Sequence, residues 1–140
     1  MGNIISFSQF QENNYDLKSR KLIVFTQGLP ITGKMISLNI PMAEMLITIE
    51  EKRRAKSLER CFLEIIGSSH KSAVVRDFDV IFNPTYRVDA LKILTSVYKA
   101  HPFSVLWPGI VQSEKLIYAN EGSPDYHVFD VKNYDIVCLI

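Results

Sequence analysis

The residues best suited to chemistry lie in two short stretches. In "FTQGLPITGKM" (25–35), Gly28 and Gly33-Lys34 spell G-x-x-x-x-G-K, with Met35 where a Ser or Thr would complete the pattern. Such a loop turns its backbone N–H groups toward phosphates, and its lysine reaches the outer phosphates of a nucleotide. Gly28, Thr32, Gly33 and Lys34 are therefore the candidate contacts to ATP or GTP. The second stretch is "AVVRDFD", where Asp77 and Asp79 come after an apolar run and are the candidate ligands of the Mg²⁺ that accompanies a triphosphate. Met35 counts against this chemistry, because a soft thioether does not replace the hydroxyl that binds Mg²⁺.

Other constellations are weaker. "PDYHVFDVK" (124–132) holds a P-D…D-x-K pattern of a metal-dependent nuclease, but on one strand Asp125 and Asp130 would face opposite sides. His70, His101 and His127 show no i,i+4 pair, and Ser69 beside His70 has no elbow motif around it. "EEKRRAKSLERC" gathers Lys52, Arg53 and Arg54, which are candidate DNA contacts or else a solvated helix face balanced by glutamates. Trp107-Pro108-Gly109 closes an apolar run and reads as a packed turn. In a doubly wound plan, strand C-termini line the ligand crevice, so Trp107 and Asp77 would flank the same site.

These residues must be positioned by a mixed set of elements. "KLIVFT" (21–26) and "FSVLW" (103–107) are short apolar runs between polar boundaries, the pattern of buried strands, and "MISLNI" (35–40) and "SAVVRDFDVIF" (72–82) read as two more. Pro41 suits the first turn of a helix, and the segment to residue 65 divides into two helices around a charged break at 50–57. The second has Leu58, Cys61, Phe62 and Ile65 on one face and Lys56, Glu59, Arg60 and Glu64 on the other. Residues 84–100 form a helix with Val88, Leu91, Leu94, Thr95, Val97 and Tyr98 inward. "KLIYAN", "YHVFDV" and "YDIVCLI" are expected as hairpin strands of a small antiparallel region. Residues 1–16 read as a tail or short helix, and residues 17–140 as one α/β domain with a three-layer arrangement.

The whole chain sets bounds. At 140 residues it suits a single core, and 47% hydrophobic residues with a net charge of +1 give no bulk electrostatic pull toward nucleic acid. Cys61 and Cys138 are too far apart for a C-x-x-C site and read as buried thiols, which fits a cytoplasmic protein. No apolar run approaches the ~18 residues of a membrane span. "MGNIIS" matches the N-myristoylation pattern at Gly2.

Three segments together carry a resemblance. "FNPTYRVDALKIL", then "VLWPG", then "KLIYANEGSPDYHVFD" are similar to the C-terminal half of the BrxF family, small P-loop proteins of type 3 BREX phage-defence systems, and "SLNIPMAEML" resembles the family's lead into its helical middle. The similarity covers roughly residues 20 to 138. It implies a P-loop NTPase-like fold in a bacterial cytoplasm, with ATP and Mg²⁺ as candidate cofactors and larger BREX subunits as partners. The departures fall on the nucleotide site. The helix that separates the family's loop from its "LN" segment is deleted here, and Arg76 stands where the metal-binding Asp is expected, with Asp79 at the next acidic position. A guanidinium would repel Mg²⁺, unless a bulge lets Asp77 take its place. With eight residues, Gln27 to Lys34, the connection is expected to leave its two strands as a hairpin or splayed apart. The expected function is an accessory, regulatory subunit with a degenerate phosphate loop. The alternatives are a DNA-binding or nuclease component and a purely structural interaction protein.

Overall fold

Short apolar runs flanked by turns build a parallel sheet. The computed structural model describes residues 2–12, 21–67 and 73–140, with the side chain of residue 12 left out; Ser69 and His70 lie outside this set. The six strands are β1 (Asn3–Ile5), β2 (Leu22–Phe25), β3 (Met35–Ser37), β4 (Val74–Arg76), β5 (Ser104–Leu106) and β9 (Ile136–Leu139), in the order β1-β9-β2-β5-β4-β3. All five pairings are parallel. A parallel interior strand is covered on both faces and so reads as an unbroken apolar run. That is the case for "LIVF" in β2 and for "IVCL" in β9, the latter with all four residues buried.

Strand alternation splits the core into two faces. Leu22, Val24, Val75, Val105, Ile136 and Cys138 point into the main cluster. That cluster includes Met42 and Leu46 from α2 (Asn39–Leu46) and Leu58, Phe62 and Ile66 from α3 (Arg54–Ile66). It also takes in Leu91, Leu94 and Val97 from α4 (Ala90–Ala100). Ile23, Val137 and Leu139 point the other way, where Phe7 and Phe10 of α1 (Phe7–Glu12) and Leu29 cover them. The architecture is α/β, with helices on both faces of the sheet.

The remaining strands, β6 (Ile110–Gln112), β7 (Lys115–Tyr118) and β8 (His127–Asp130), form a separate antiparallel sheet. It is anchored through aromatics. The Trp107 indole, fully buried, has Phe78, Phe82 and Phe129 ring centroids at 6.2, 5.6 and 5.7 Å, and Phe82 stacks on Tyr118 at 3.8 Å. Trp107 Nε1 donates to the Ile117 carbonyl at 3.0 Å. That bond passes over Gly109, where a Cβ would run into the same carbonyl oxygen and stand 2.9 Å from Nε1. The W-P-G turn thus needs its glycine for a close approach.

Several expectations are corrected. "YDIVCLI" does not extend the antiparallel region; β9 returns to the parallel sheet between β1 and β2. The first residues, read as a tail or short helix, hold the short helix α1 and also a strand, β1, that joins the sheet, and Gly2 packs against the Val131 and Tyr134 carbonyls, leaving no room for a Cβ. The strand expected over 35–40 ends at Ser37, since Pro41 pulls Asn39 into the first turn of α2. The strand expected over 72–82 ends at Arg76: Asp77 has φ +49°, and 3₁₀ turns come next at Asp79–Phe82 and Pro84–Tyr86. α4 starts only after Asp89, whose carboxylate caps the Lys92 N–H at 3.2 Å.

Candidate functional site: a crevice at the strand C-termini

The chain leaving β2 and the chain entering β3 decide where the phosphate-loop residues lie. β2 and β3 are neither a hairpin nor neighbours; they are parallel, with β5 and β4 between them. Crossing three strand spacings of ~4.8 Å and returning ~10 Å along the sheet needs under ~20 Å, whereas the nine residues 26–34 reach ~30 Å when extended. The longer minimum for a parallel crossover applies when a helix is part of it, and here there is none. Leu29 packs on the cluster of Ile23, Val137 and Leu139, so the loop leaves β2 on the side of α1.

This route separates the two halves of the loop. Gly28 (φ +92°) sits just beyond the C-terminal end of β2. Gly33 (φ +130°) and Lys34 stand at the other end of the strands, immediately before β3, where the Lys34 carbonyl accepts the N–H of Val74 at 2.8 Å. Thr32, Gly33 and Lys34 are exposed, and Lys34 leads directly into a strand. A phosphate cradle needs a lysine at a helix N-terminus directly after the loop strand. In this geometry Gly28 and Lys34 do not face one space.

The space that does form is a crevice of about 550 Å³ at the C-terminal ends of β2, β4 and β5. Gln27, Gly28, Asp77, Asp79, Trp107 and Pro108 line its rim, and Met35, Arg76 and Leu106 extend it down the sheet face. Asp77 and Trp107 thus flank one site, the position that an α/β sheet reserves for ligands. Lys34 is not among its lining residues.

The two aspartates differ sharply. Asp79 is fully engaged: Oδ1 accepts from Asn39 Nδ2 at 3.0 Å and Oδ2 from the Tyr118 hydroxyl at 2.8 Å. Asn39 in turn accepts the Val80 N–H at 2.9 Å, so Asp79 links α2, the 3₁₀ turn and the antiparallel sheet. Burial first, and then the bond and charge of Asp79, push the Tyr118 hydroxyl well above the usual phenol range. Asp77 is half-exposed; its Oδ2 accepts from Ser37 Oγ at 2.7 Å and from Arg76 Nε at 3.1 Å. Its left-handed backbone turns its carbonyl onto the Asn39 N–H at 2.7 Å, supplying the start of α2 with an acceptor that no side-chain cap provides.

These donors do not fit Mg²⁺. One carboxylate is committed to structure and the other shares an oxygen with a guanidinium, while a hard divalent cation needs several free oxygens. Among the described residues no group of three or more His, Cys, Asp or Glu converges.

The remaining candidates are dispersed. Lys52 and Arg53 both pair with Glu50, at 3.3 and 3.7 Å, and Arg54 Nε donates to the Ile49 carbonyl at 3.0 Å. Asp130 Oδ1 accepts from the Lys132 N–H at 3.2 Å in a turn, and the His127 ring pairs with the Asp125 carbonyl, so the P-D…D-x-K residues serve local structure. Sequence reasoning missed Arg76 as the partner of Asp77 and Tyr118 as the partner of Asp79. The latter pair is separated by 39 residues and left no local signal.

Comparison with protein-family models, curated proteins and solved structures returned no match. Among the described residues no helix is long and apolar enough to cross a membrane.

Proposed function

We propose that this chain is an accessory, regulatory subunit of a BREX-type phage-defence system, built on a P-loop NTPase-like sheet whose nucleotide site has been taken apart. The observation that carries this reading is the placement of Lys34 before β3, at the end of the strands opposite Asp77. The resemblance of "FNPTYRVDALKIL", "VLWPG" and "KLIYANEGSPDYHVFD" supplies the system. The order β9-β2-β5-β4-β3, with the loop strand and the aspartate strand on either side of β5, supports the ancestry.

In this reading the subunit acts by binding and by biasing its partner between states, not by turnover. With Lys34 away from the crevice and Asp77 and Asp79 engaged by protein donors, nothing in the crevice favours turnover of a nucleotide.

The test is complementation of phage restriction in cells carrying the complete defence system without this chain. Lys34→Ala is expected to restore restriction as well as the parent chain does. A folded Lys34→Ala that fails to restore it would make Lys34 a working nucleotide contact and overturn the reading.

A further inference from the structure

The antiparallel sheet has one covered face and one open face. Strand alternation turns Val111, Leu116, Tyr118 and Phe129 onto the core. It turns Ile110 and Gln112 of β6, Lys115 and Ile117 of β7, and Val128 and Asp130 of β8 outward. The register sorts these six into two rows across the strands. Ile110 pairs with Ile117 and Ile117 with Val128, while Gln112 pairs with Lys115 and Lys115 with Asp130. An antiparallel sheet with one face in solvent ordinarily alternates apolar inward and polar outward. Here a whole outward row is β-branched and apolar, with Ile110 58% and Val128 44% exposed and Ile117 half-buried between them.

The polar row is balanced in charge but unpaired. Lys115 is exposed and joins no ion pair among the described residues, although Asp130 stands opposite it. Asp130 gives Oδ1 to the Lys132 N–H at 3.2 Å and keeps Oδ2 free among those residues. Lys132 and Glu114, next to this row, neutralise each other at 3.6 Å. One cation beside one anion gives a polyanion such as a nucleic acid no net attraction, and matches a surface carrying the same two charges in reverse order. A two-fold rotation generates that surface from this one. With the axis along the strands and between β7 and β8, Lys115 lies over Asp130 of the second copy and Asp130 over its Lys115. Ile117 and Val128 exchange in the same way. Placing the axis on β7 instead sets Lys115 against Lys115, so the charges select the register. The net charge of +1 puts no strong long-range repulsion between copies.

We infer that the outer face of β6, β7 and β8 is a self-association surface, on which a second copy of this chain packs sheet to sheet. Stacked sheets lie ~10 Å apart, which lets Ile117 and Val128 interdigitate with Val128 and Ile117 opposite and lets the Lys115 side chain reach the carboxylate across the gap. Ile110, one strand over, packs at the rim against the flank of Val128 of the second copy. The apolar row leaves water, and the two reciprocal ion pairs fix the orientation. None of the residues lining the crevice belongs to this face, so the inference stands apart from the regulatory reading.

Sedimentation velocity of the purified full chain, from micromolar to near-millimolar concentration, reads the association. The parent is expected to move from monomer to dimer over that range. Lys115→Glu and Asp130→Lys each bring like charges together twice, and each is expected to weaken the dimer about tenfold or more. In a mixture of these two chains each introduced charge meets its opposite and the native Lys115 meets the native Asp130, so the mixture is expected to dimerise as the parent does. A change of stability within one chain does not produce that rescue. Val128→Lys, at an exposed position, puts a charge into the apolar row and is expected to weaken the dimer as well. Far-UV circular dichroism and a thermal midpoint near the parent's show that each variant is folded. A parent that stays monomeric throughout, a dimer that Lys115→Glu and Val128→Lys leave unchanged, or a mixture of folded variants no better associated than its components would overturn the inference.

Discussion

Replacing Asp79 with alanine separates a structural carboxylate from a metal ligand. The substitution removes two hydrogen bonds to a charged acceptor, from Tyr118 at 2.8 Å and from Asn39 at 3.0 Å. Tyr118 is 8% exposed and its ring is stacked 3.8 Å from Phe82, so its hydroxyl has little freedom to find water. Each such bond contributes about 1.5–3 kcal/mol, and the Asn39 amide recovers part of its share from solvent, so the expected loss is about 3–4 kcal/mol. For a chain of this size that lowers the thermal midpoint by roughly 10 °C or more. Asp77→Asn, which tolerates the left-handed backbone at this position, breaks only contacts between exposed groups and is expected to stay within about 1 kcal/mol of the parent. Urea unfolding of Asp79→Ala, Tyr118→Phe and the double variant measures the coupling directly, with an expected interaction of about 1 kcal/mol or more. Unchanged stability of Asp79→Ala, or additive effects in the cycle, would refute the structural role and leave Asp79 free to serve as a ligand.

The same network carries two more expected outcomes. Burial, and then bonds to Asp79 and Asp89, raise the hydroxyls of Tyr118 and Tyr134 above the phenol value near 10. The unfolded chain therefore loses these protons first, and stability is expected to hold up to about pH 10 and fall as pH rises beyond it; Tyr118→Phe with Tyr134→Phe should flatten that fall in urea titrations. Gly109→Ala is expected to push the hairpin off Trp107, leaving its indole N–H without the Ile117 carbonyl, at a cost of about 2 kcal/mol or more. A near-native midpoint and an unchanged Trp107 emission spectrum in that variant would contradict the packing described.

The elements legible in the sequence are those whose signal is local. β2 and β5 are announced by short apolar runs between polar boundaries, and α3 by its spacing of three and four, although Ile66, not Ile65, is the residue fully buried at its end. β9 is easily taken for a hairpin strand because two such strands precede it. Its unalternated "IVCL" is the signal of a strand covered on both faces. The end of β4 is not legible, since Asp77 leaves the strand by a left-handed turn that its neighbours do not announce.

At the site, Asp77 and Trp107 can be brought together from strand ends alone. The position of Lys34 cannot: it depends on β3 pairing with β4, three places away from β2, a non-local choice that the loop does not encode. The shortness of the connection between β2 and β3 is visible in the sequence, and the structure carries it past two intervening strands without a helix.

Thermal unfolding of the purified chain with and without millimolar ATP or GTP and Mg²⁺ tests the separation of Gly28 from Lys34 most directly. Binding to the native state at 100 times Kd adds about 2.7 kcal/mol, so a working cradle would raise the midpoint by several degrees. No shift is expected with either nucleotide, in the parent chain or in Lys34→Ala. A clear upward shift in the parent that disappears in Lys34→Ala would mean that Gly28 and Lys34 close on one phosphate chain, and would contradict the separation of the two described above.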